Sequence, residues 1–246
     1  MDNEKRRITG YKQLDTISEE WNNICEYRDK AIEQGLDVSL EKVTIPCIIR
    51  EIIEEKPHTI VDVGCGTGYV TNRLVEYAPT VGIDCSKKSI GLAKSKYVRE
   101  GLSFELSMIE NYNPDYKFDV CVANMVFSSD SNWVKSINNI YHILSDNGCI
   151  IIVLPHPCFW PQYWNLIDKD WFSYDKEIFI EHDFSITFAK SMGISTYIHR
   201  PLETYVNDCI DAGFCIEKIK EPYPFGNVPE GYTYTYPRFL MVKARK

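Results

Sequence analysis

The chain is expected to fold as an α/β protein around a doubly wound, mostly parallel, seven-stranded sheet. Three observations carry that expectation. Short β-rich runs alternate with amphipathic helical stretches from residue 59 to residue 154. The first run opens into a glycine loop, Val61-Asp62-Val63-Gly64-Cys65-Gly66-Thr67-Gly68. The fifth run, 149–154, is nearly all apolar, as a strand covered by helices on both faces must be.

The elements follow in order. Over 15–34, Ile17, Trp21, Ile24, Arg28 and Ala31 share one helical face, Thr16-x-x-Glu19 reads as a capping box, and Gly35 suits the exit. Over 44–55, Ile45, Ile48, Ile49, Ile52 and Ile53 come together, and Lys56-Pro57 closes the helix. Strands are expected at 59–63, 80–84, 103–107, 118–123 and 149–154, with helices at 69–77, 86–99 and 132–144 between them. The last of these helices sets Val134, Ile137, Ile140, Tyr141 and Leu144 at core spacing before Asn147-Gly148. Regularity stops at Pro155 and resumes at Pro201, which suits the start of a helix 202–212 stopped by Gly213; strands 214–219 and 238–242 end the sheet. The chain therefore divides into a helical lid (1–56), an α/β core (57–154), an insertion after the fifth strand (155–200) and the C-terminal part of the core (201–246).

The insertion has its own composition. It holds 11 aromatic residues in 46, against 13% aromatic overall, and three of the five tryptophans fall between 160 and 171. One by one such residues stabilise a small extra core; as a group they wall a site for an organic ligand. Across the whole chain, 27 basic residues face 35 acidic ones, a net charge of −8. That balance argues against a protein that grips phosphate backbones, and 44% apolar residues exclude disorder. Nine scattered cysteines without a C-x-x-C pair read as reduced thiols. The start, MDNEKRRITG, carries no signal-peptide pattern and no run approaches a membrane span, so a cytoplasmic location is expected.

The spacing of the glycine loop is informative. The dinucleotide pattern G-x-G-x-x-G would need glycine at 69, where this chain has Tyr69, so the spacing is G-x-G-x-G. Asp84, 22 residues after Asp62, ends the second strand. A carboxylate there accepts from both hydroxyls of a ribose, although with Ser86 it also suits a helix cap.

The segments VDVGCGTG, GID ending at Asp84, and FDVCVAN resemble successive motifs of class I S-adenosylmethionine-dependent methyltransferases. The resemblance covers 14–154 and the layout of 201–244. It implies the Rossmann-like methyltransferase fold, with S-adenosylmethionine as cofactor and S-adenosylhomocysteine as product. Gly64, Gly66 and Gly68, with Cys65, would then skirt the methionine part; Asp62 would steady the loop and the amino group; Asp84, beside Cys85, would bind the ribose. Leu14-Asp15-Thr16-Ile17-Ser18-Glu19-Glu20-Trp21 is similar to the family's N-terminal lid, with Trp21 covering the cofactor. At the third strand Ser107 stands where many relatives have an acid; either Ser107 would accept the adenine amino hydrogen bond more weakly or Glu110 would reach back to it, and Met108 and Ile109 would pack on the adenine. Ala123 and Asn124 would line the site by their backbones.

Methyl transfer is an in-line displacement in which positioning is the main catalytic resource. An oxygen nucleophile also calls for a base, and histidine is the natural candidate. His156, just past the fifth strand in Pro155-His156-Pro157-Cys158-Phe159-Trp160, is the first choice as base or positioning group, and its HPCF segment resembles one in small-molecule methyltransferases. His182 and His199 in the insertion come next. No metal site is expected, since His156-x-Cys158 lacks a second pair. Met125, Phe127, Phe159, Trp160, Tyr163 and Trp164 are the expected acceptor contacts. The expected acceptor is a small metabolite methylated on oxygen or nitrogen, neutral or cationic to suit aromatic faces and acidic charge. No nucleic-acid or membrane partner is expected, and the protein is expected to be a monomer or homodimer. An RNA or protein methyltransferase and a non-catalytic cofactor-binding protein are the alternatives.

Overall fold

The computed structural model describes residues 7–189 and 192–246. The elements run β1 (Arg7–Thr9), α1 (Leu14–Glu33), a π-helical turn (Leu40–Thr44), α2 (Ile45–Glu55), β2 (Ile60–Val63), α3 (Thr71–Leu74), β3 (Thr80–Asp84), α4 (Lys87–Lys96), β4 (Leu102–Leu106), β5 (Phe118–Asn124), α5 (Trp133–Ile143), β6 (Leu144–Pro155), α6 (Trp160–Tyr163), β7 (Ile178–Asp183), β8 (Ile194–His199), α7 (Leu202–Asp211), β9 (Cys215–Lys220) and β10 (Phe239–Arg245). Seven strands form one sheet in the order β4-β3-β2-β5-β6-β10-β9. β4, β3, β2, β5 and β6 pair in parallel, and β10 is antiparallel to both β6 and β9. This is the doubly wound, mostly parallel sheet that the alternation of elements predicts.

Strand alternation explains how the sheet is covered on both sides. Along β6, Ile150, Ile152 and Leu154 join a cluster with Ile137 and Ile140 of α5, while Cys149, Ile151 and Val153 join one with Ile48 and Ile52 of α2. Each such isoleucine is almost fully excluded from water, which contributes roughly 1.5–3 kcal/mol per side chain. Two residues assigned to the core by spacing lie outside it: Ile53 is 54% exposed and Val134 is 55% exposed, each at the edge of a helical stripe whose centre the other isoleucines already fill. The capping box also fails to form. α1 begins one residue earlier than expected, with Gln13 at the cap, and the Thr16 N–H donates to the Gln13 carbonyl. Its exit is as expected: the Gly35 and Leu36 N–H groups close on the carbonyls of Ile32 and Ala31.

The insertion is not only loop. β7 and β8 form a hairpin, and β1 joins it to make a separate three-stranded antiparallel sheet, β1-β7-β8. The lid helix packs on this sheet through Ile17, with Trp21 against Phe179 and Ile198. Between β1 and α1, the Lys12 ammonium reaches Glu20 at 2.5 Å, Glu181 at 2.6 Å and the Thr196 hydroxyl at 3.1 Å. The lid and the insertion are thus held as one wall. Residues 1–6 of the expected lid lie outside the described residues.

Candidate active site

A cavity of about 400 Å³ opens at the carboxyl ends of β2, β3 and β5, which is where a doubly wound sheet places its ligands. The glycine loop forms one edge. A β-carbon on Gly64 would lie 2.4 Å from Val126 Cγ2, and one on Gly68 would lie 2.7 Å from Phe104 Cζ, so both positions are excluded by packing. A β-carbon on Gly66 would meet nothing within 4 Å. Gly66 has φ of +55° and lines the cavity, so its backbone is bare toward whatever occupies that space.

Two buried carboxyl groups stand beside this loop. Asp84 accepts the Gly66 N–H at 2.8 Å on one oxygen and the Ser86 N–H at 2.7 Å on the other, leaving each oxygen capacity for a further donor. Ser86 is the residue that caps α4, accepting from the Ser89 N–H at 3.1 Å, so Asp84 is released from the capping role. Burial raises the Asp84 pKa, opposed by these two backbone bonds. Asp62 accepts from the Thr71 hydroxyl at 2.7 Å. Its pKa is pushed up to about 7, first by burial and also by the neighbouring charge of Asp84.

At the end of β4 the Ser107 N–H donates to the Asp84 carbonyl, and Ser107, Met108, Ile109 and Glu110 all line the cavity. Glu110 accepts from Asn132 Nδ2 at 2.6 Å on one oxygen, while its other oxygen is buried without a partner. At the end of β5, Asn124 also keeps a buried, unpartnered side-chain oxygen. Met125 follows with φ of +62°, a costly conformation for a side chain of this kind, held by its N–H to the Val153 carbonyl at 2.7 Å. The loop beyond is fixed from the insertion: the buried Arg200 donates to the carbonyls of Phe127 and Asp130, and the Ile198 N–H donates to the Ser128 carbonyl.

The opposite wall is aromatic. Trp160, Tyr163, Trp164 and Tyr197 line it, with ring centroids of Trp160 and Trp164 5.5 Å apart and of Trp164 and Tyr197 5.1 Å apart. Trp21 closes the lid side against Phe184, edge to face at 5.2 Å. Arg238 completes the wall, its guanidinium 4.9 Å from the ring centres of both Tyr163 and Tyr232.

Of the expected site residues, Trp21, Asp62, Gly64, Cys65, Gly66, Asp84, Cys85, Ser107, Met108, Ile109, Asn124, Met125, Trp160, Tyr163, Trp164 and His182 line this one cavity. Six others are placed away from it. Gly68 turns under Phe104, and Ala123 is enclosed in the sheet core. Phe127 is buried edge to face on Trp133 at 4.5 Å, because the turn after β5 points it into the core. Phe159 stacks on Tyr236 at 5.7 Å beside His156. His156 is buried behind the wall, its Nε2 3.0 Å from Glu221 and its Nδ1 accepting from the Cys158 N–H; burial lowers its pKa against the pull of Glu221. His199 bonds the Tyr174 carbonyl at 3.0 Å, and burial lowers its pKa too. His182 alone of the three lines the cavity, with Nδ1 3.0 Å from the Asp183 carbonyl and Nε2 3.0 Å from the Ser195 hydroxyl.

Residues that pattern reading passed over also face the cavity. Arg28, which spacing places on the same face of α1 as Ile17 and Ile24, lies 4.0 Å from Asp37, and both line the cavity. Tyr232 and Thr233 come from the stretch between the last two expected strands, and Arg238 from the first position of the last one. The repeated tyrosines of Tyr232-Thr233-Tyr234-Thr235-Tyr236, next to an arginine, were the available signal.

A sheet of this order, with a glycine loop and an acid at successive strand ends, defines a nucleoside-binding α/β enzyme. A family model for a methyltransferase domain matches residues 54–178, and the chain belongs to that family, within the class I S-adenosylmethionine-dependent methyltransferases. Over 100 residues, 39% of this chain, it is 29% identical to malonyl-[acyl-carrier protein] O-methyltransferase 1 of Ilyobacter polytropus; the match spans only 37% of that relative's length. An uncharacterised Haemophilus influenzae protein is 28% identical over 233 residues, 86% of this chain and 89% of its own. Among solved structures, an S-adenosylmethionine-dependent methyltransferase of Listeria monocytogenes superposes with a TM-score of 0.62 at 22% identity, covering 80% of this chain and 96% of that one.

Proposed function

We propose that the protein transfers a methyl group from S-adenosylmethionine to an oxygen or nitrogen of a small, planar metabolite by in-line displacement. The observation that carries this reading is a single cavity with a nucleoside-type edge and an aromatic wall. At the first edge the residues fit the cofactor. Asp84 retains acceptor capacity for the ribose, Glu110 has an unpartnered buried oxygen for the adenine amino group in place of an acid at Ser107, and Gly66 leaves its backbone bare for the methionine part. Asp62 and Arg28 offer opposite charges for the ammonium and carboxylate of the same part.

The cofactor supplies an activated methyl on a sulfonium. This chain's residues supply position and exclude water. Trp160, Tyr163 and Trp164 hold a flat acceptor, Trp21 and Phe184 shut the lid side, and the strained turn at Met125 sets the strand end facing both ligands. His182 lies in the wall with both ring nitrogens hydrogen-bonded, so it orients Ser195 and the acceptor surface in place of acting as a free base. Transfer to oxygen is favoured by the Ilyobacter relative's name. Nine unpaired cysteines suit a reducing compartment, which supports action in the cytoplasm. No helix among the described residues is long and apolar enough to cross a membrane.

Calorimetric titration with S-adenosylmethionine is the first test, and no binding at millimolar concentration would sink the reading. A second assay adds methyl-labelled cofactor to a metabolite extract, to total RNA and to lysate protein. Label is expected in the small-molecule fraction; label confined to a macromolecule would reverse the choice of acceptor.

A further inference from the structure

We infer that the acceptor is a planar carboxylic acid, whose carboxylate is received by Arg238 and by the indole N–H of Trp160. This deepens the proposed function and rests on it.

Arg238 is a cation with spare hydrogen-bonding capacity. Its Nη2 donates to the Thr233 carbonyl, its Nε is buried without a partner, and no carboxylate among the described residues lies within ion-pair reach of it. The nearby acid of the cavity rim, Asp37, is directed to Arg28 and to the Leu40 N–H. By contrast, Lys12, Lys96, Lys243, Arg200 and Arg245 each meet one or more carboxylates, and Arg28, the other arginine of the cavity, faces Asp37 at 4.0 Å. A guanidinium left underused at a cavity wall is therefore a feature of that wall.

Trp160 repeats the pattern. Its Nε1 is buried and unpartnered, although a buried indole N–H normally finds an acceptor. Both groups border the same ring, with Arg238 Cζ 4.9 Å from the Tyr163 centre and the Trp160 and Tyr163 centroids 6.3 Å apart. Two unpaired donors beside aromatic faces match a ligand with a flat apolar body and a terminal anion.

The same geometry argues against the cationic alternative among the acceptors expected from composition. The place among the tyrosine rings that would hold an organic cation is taken by the protein's own guanidinium, with Tyr163, Tyr232 and Tyr234 around it. A second cation there would meet like charge in a partly desolvated site.

The test loads the protein with S-adenosylhomocysteine and titrates benzoate, naphthoate and indole carboxylate calorimetrically, each against its carboxamide. At least one acid is expected to bind about 10- to 100-fold more tightly than the amide of the same shape, the loss that goes with one charge-assisted bond. Arg238→Gln is expected to erase the acid preference while S-adenosylhomocysteine still binds. Trp160→Phe, which keeps an aromatic ring and removes the donor, is expected to lower acid affinity about 5-fold. The inference is overturned if no acid binds, if the amides bind equally, if Arg238→Gln keeps the preference, or if that variant loses the cofactor product as strongly as the acids. Failure of the wild-type protein to bind S-adenosylhomocysteine would instead remove the methyltransferase reading, so the two failures are distinct.

Discussion

In the proposed function, the two ends of the cavity recognise their ligands by different means. At the cofactor end, the chemistry comes from strand ends and backbone: Asp84 is locked by two N–H donors, and Gly66 offers a bare main chain. At the acceptor end, it comes from long side chains on the short helix α6 and on the segment leading into β10, where Trp160, Tyr163 and Arg238 meet across 78 residues of sequence. The first arrangement is fixed by the register of a parallel sheet, so it tolerates little change. The second depends on how separate segments pack, which lets acceptor choice vary while the cofactor end stays the same.

That contrast can be tested by substitution. The largest effect is expected at Gly64. Gly64→Ala drives a β-carbon into Val126 at positive φ and should cost about 2–5 kcal/mol of stability, whereas Gly66→Ala, with open space before it, should cost about 1 kcal/mol yet abolish cofactor binding. Thermal unfolding with and without S-adenosylhomocysteine separates the two, and equal destabilisation would break the distinction between packing and ligand glycines.

Asp62 comes next. Its folded pKa, about 7, is raised above its ordinary value of 3.8, so the stability it contributes is full below pH 4 and is lost as pH rises through 7. At about 1.4 kcal/mol per unit this amounts to at most about 4 kcal/mol. In the free protein, Asp62→Asn should flatten the decline in unfolding free energy between those limits, measured by urea titration across pH; an unchanged slope would refute the buried-carboxyl account.

Asp84→Ala should weaken S-adenosylhomocysteine binding by about 1–3 kcal/mol, read by calorimetry, since it removes a charged acceptor. Affinity within twofold of wild type would take the ribose role from Asp84. The smallest effect is expected at His156, the first choice from sequence. It is tied to Glu221 behind the wall, so His156→Gln should change turnover in the labelled-methyl assay by less than about threefold, or about 0.6 kcal/mol. A drop of a hundredfold or more would bring His156 back into the chemistry.

How much was legible follows the same division. The strand at Thr80–Asp84 and the acid ending it could be read directly, because alternation and a terminal polar residue are local signals. Val134 and Ile53 were misassigned because a helical stripe shows a face but not its edges. The hairpin of β7 and β8 lies within the insertion between Pro155 and Pro201, where the regular alternation of elements stops, and its third strand, β1, lies some 170 residues away in sequence. Its pairing left no local trace.

The sequence by itself determined the α/β class, the succession of strands and helices and the motifs of the glycine loop and Asp84, because each rests on residues adjacent in the chain and on side-chain periodicity. Tertiary structure alone decided that His156, Phe127 and Phe159 turn away while Arg28, Arg238 and Tyr232 face the cavity. The physical reason is that a side chain's direction at a loop or a helix edge is set by what packs behind it, and that packing comes from distant segments.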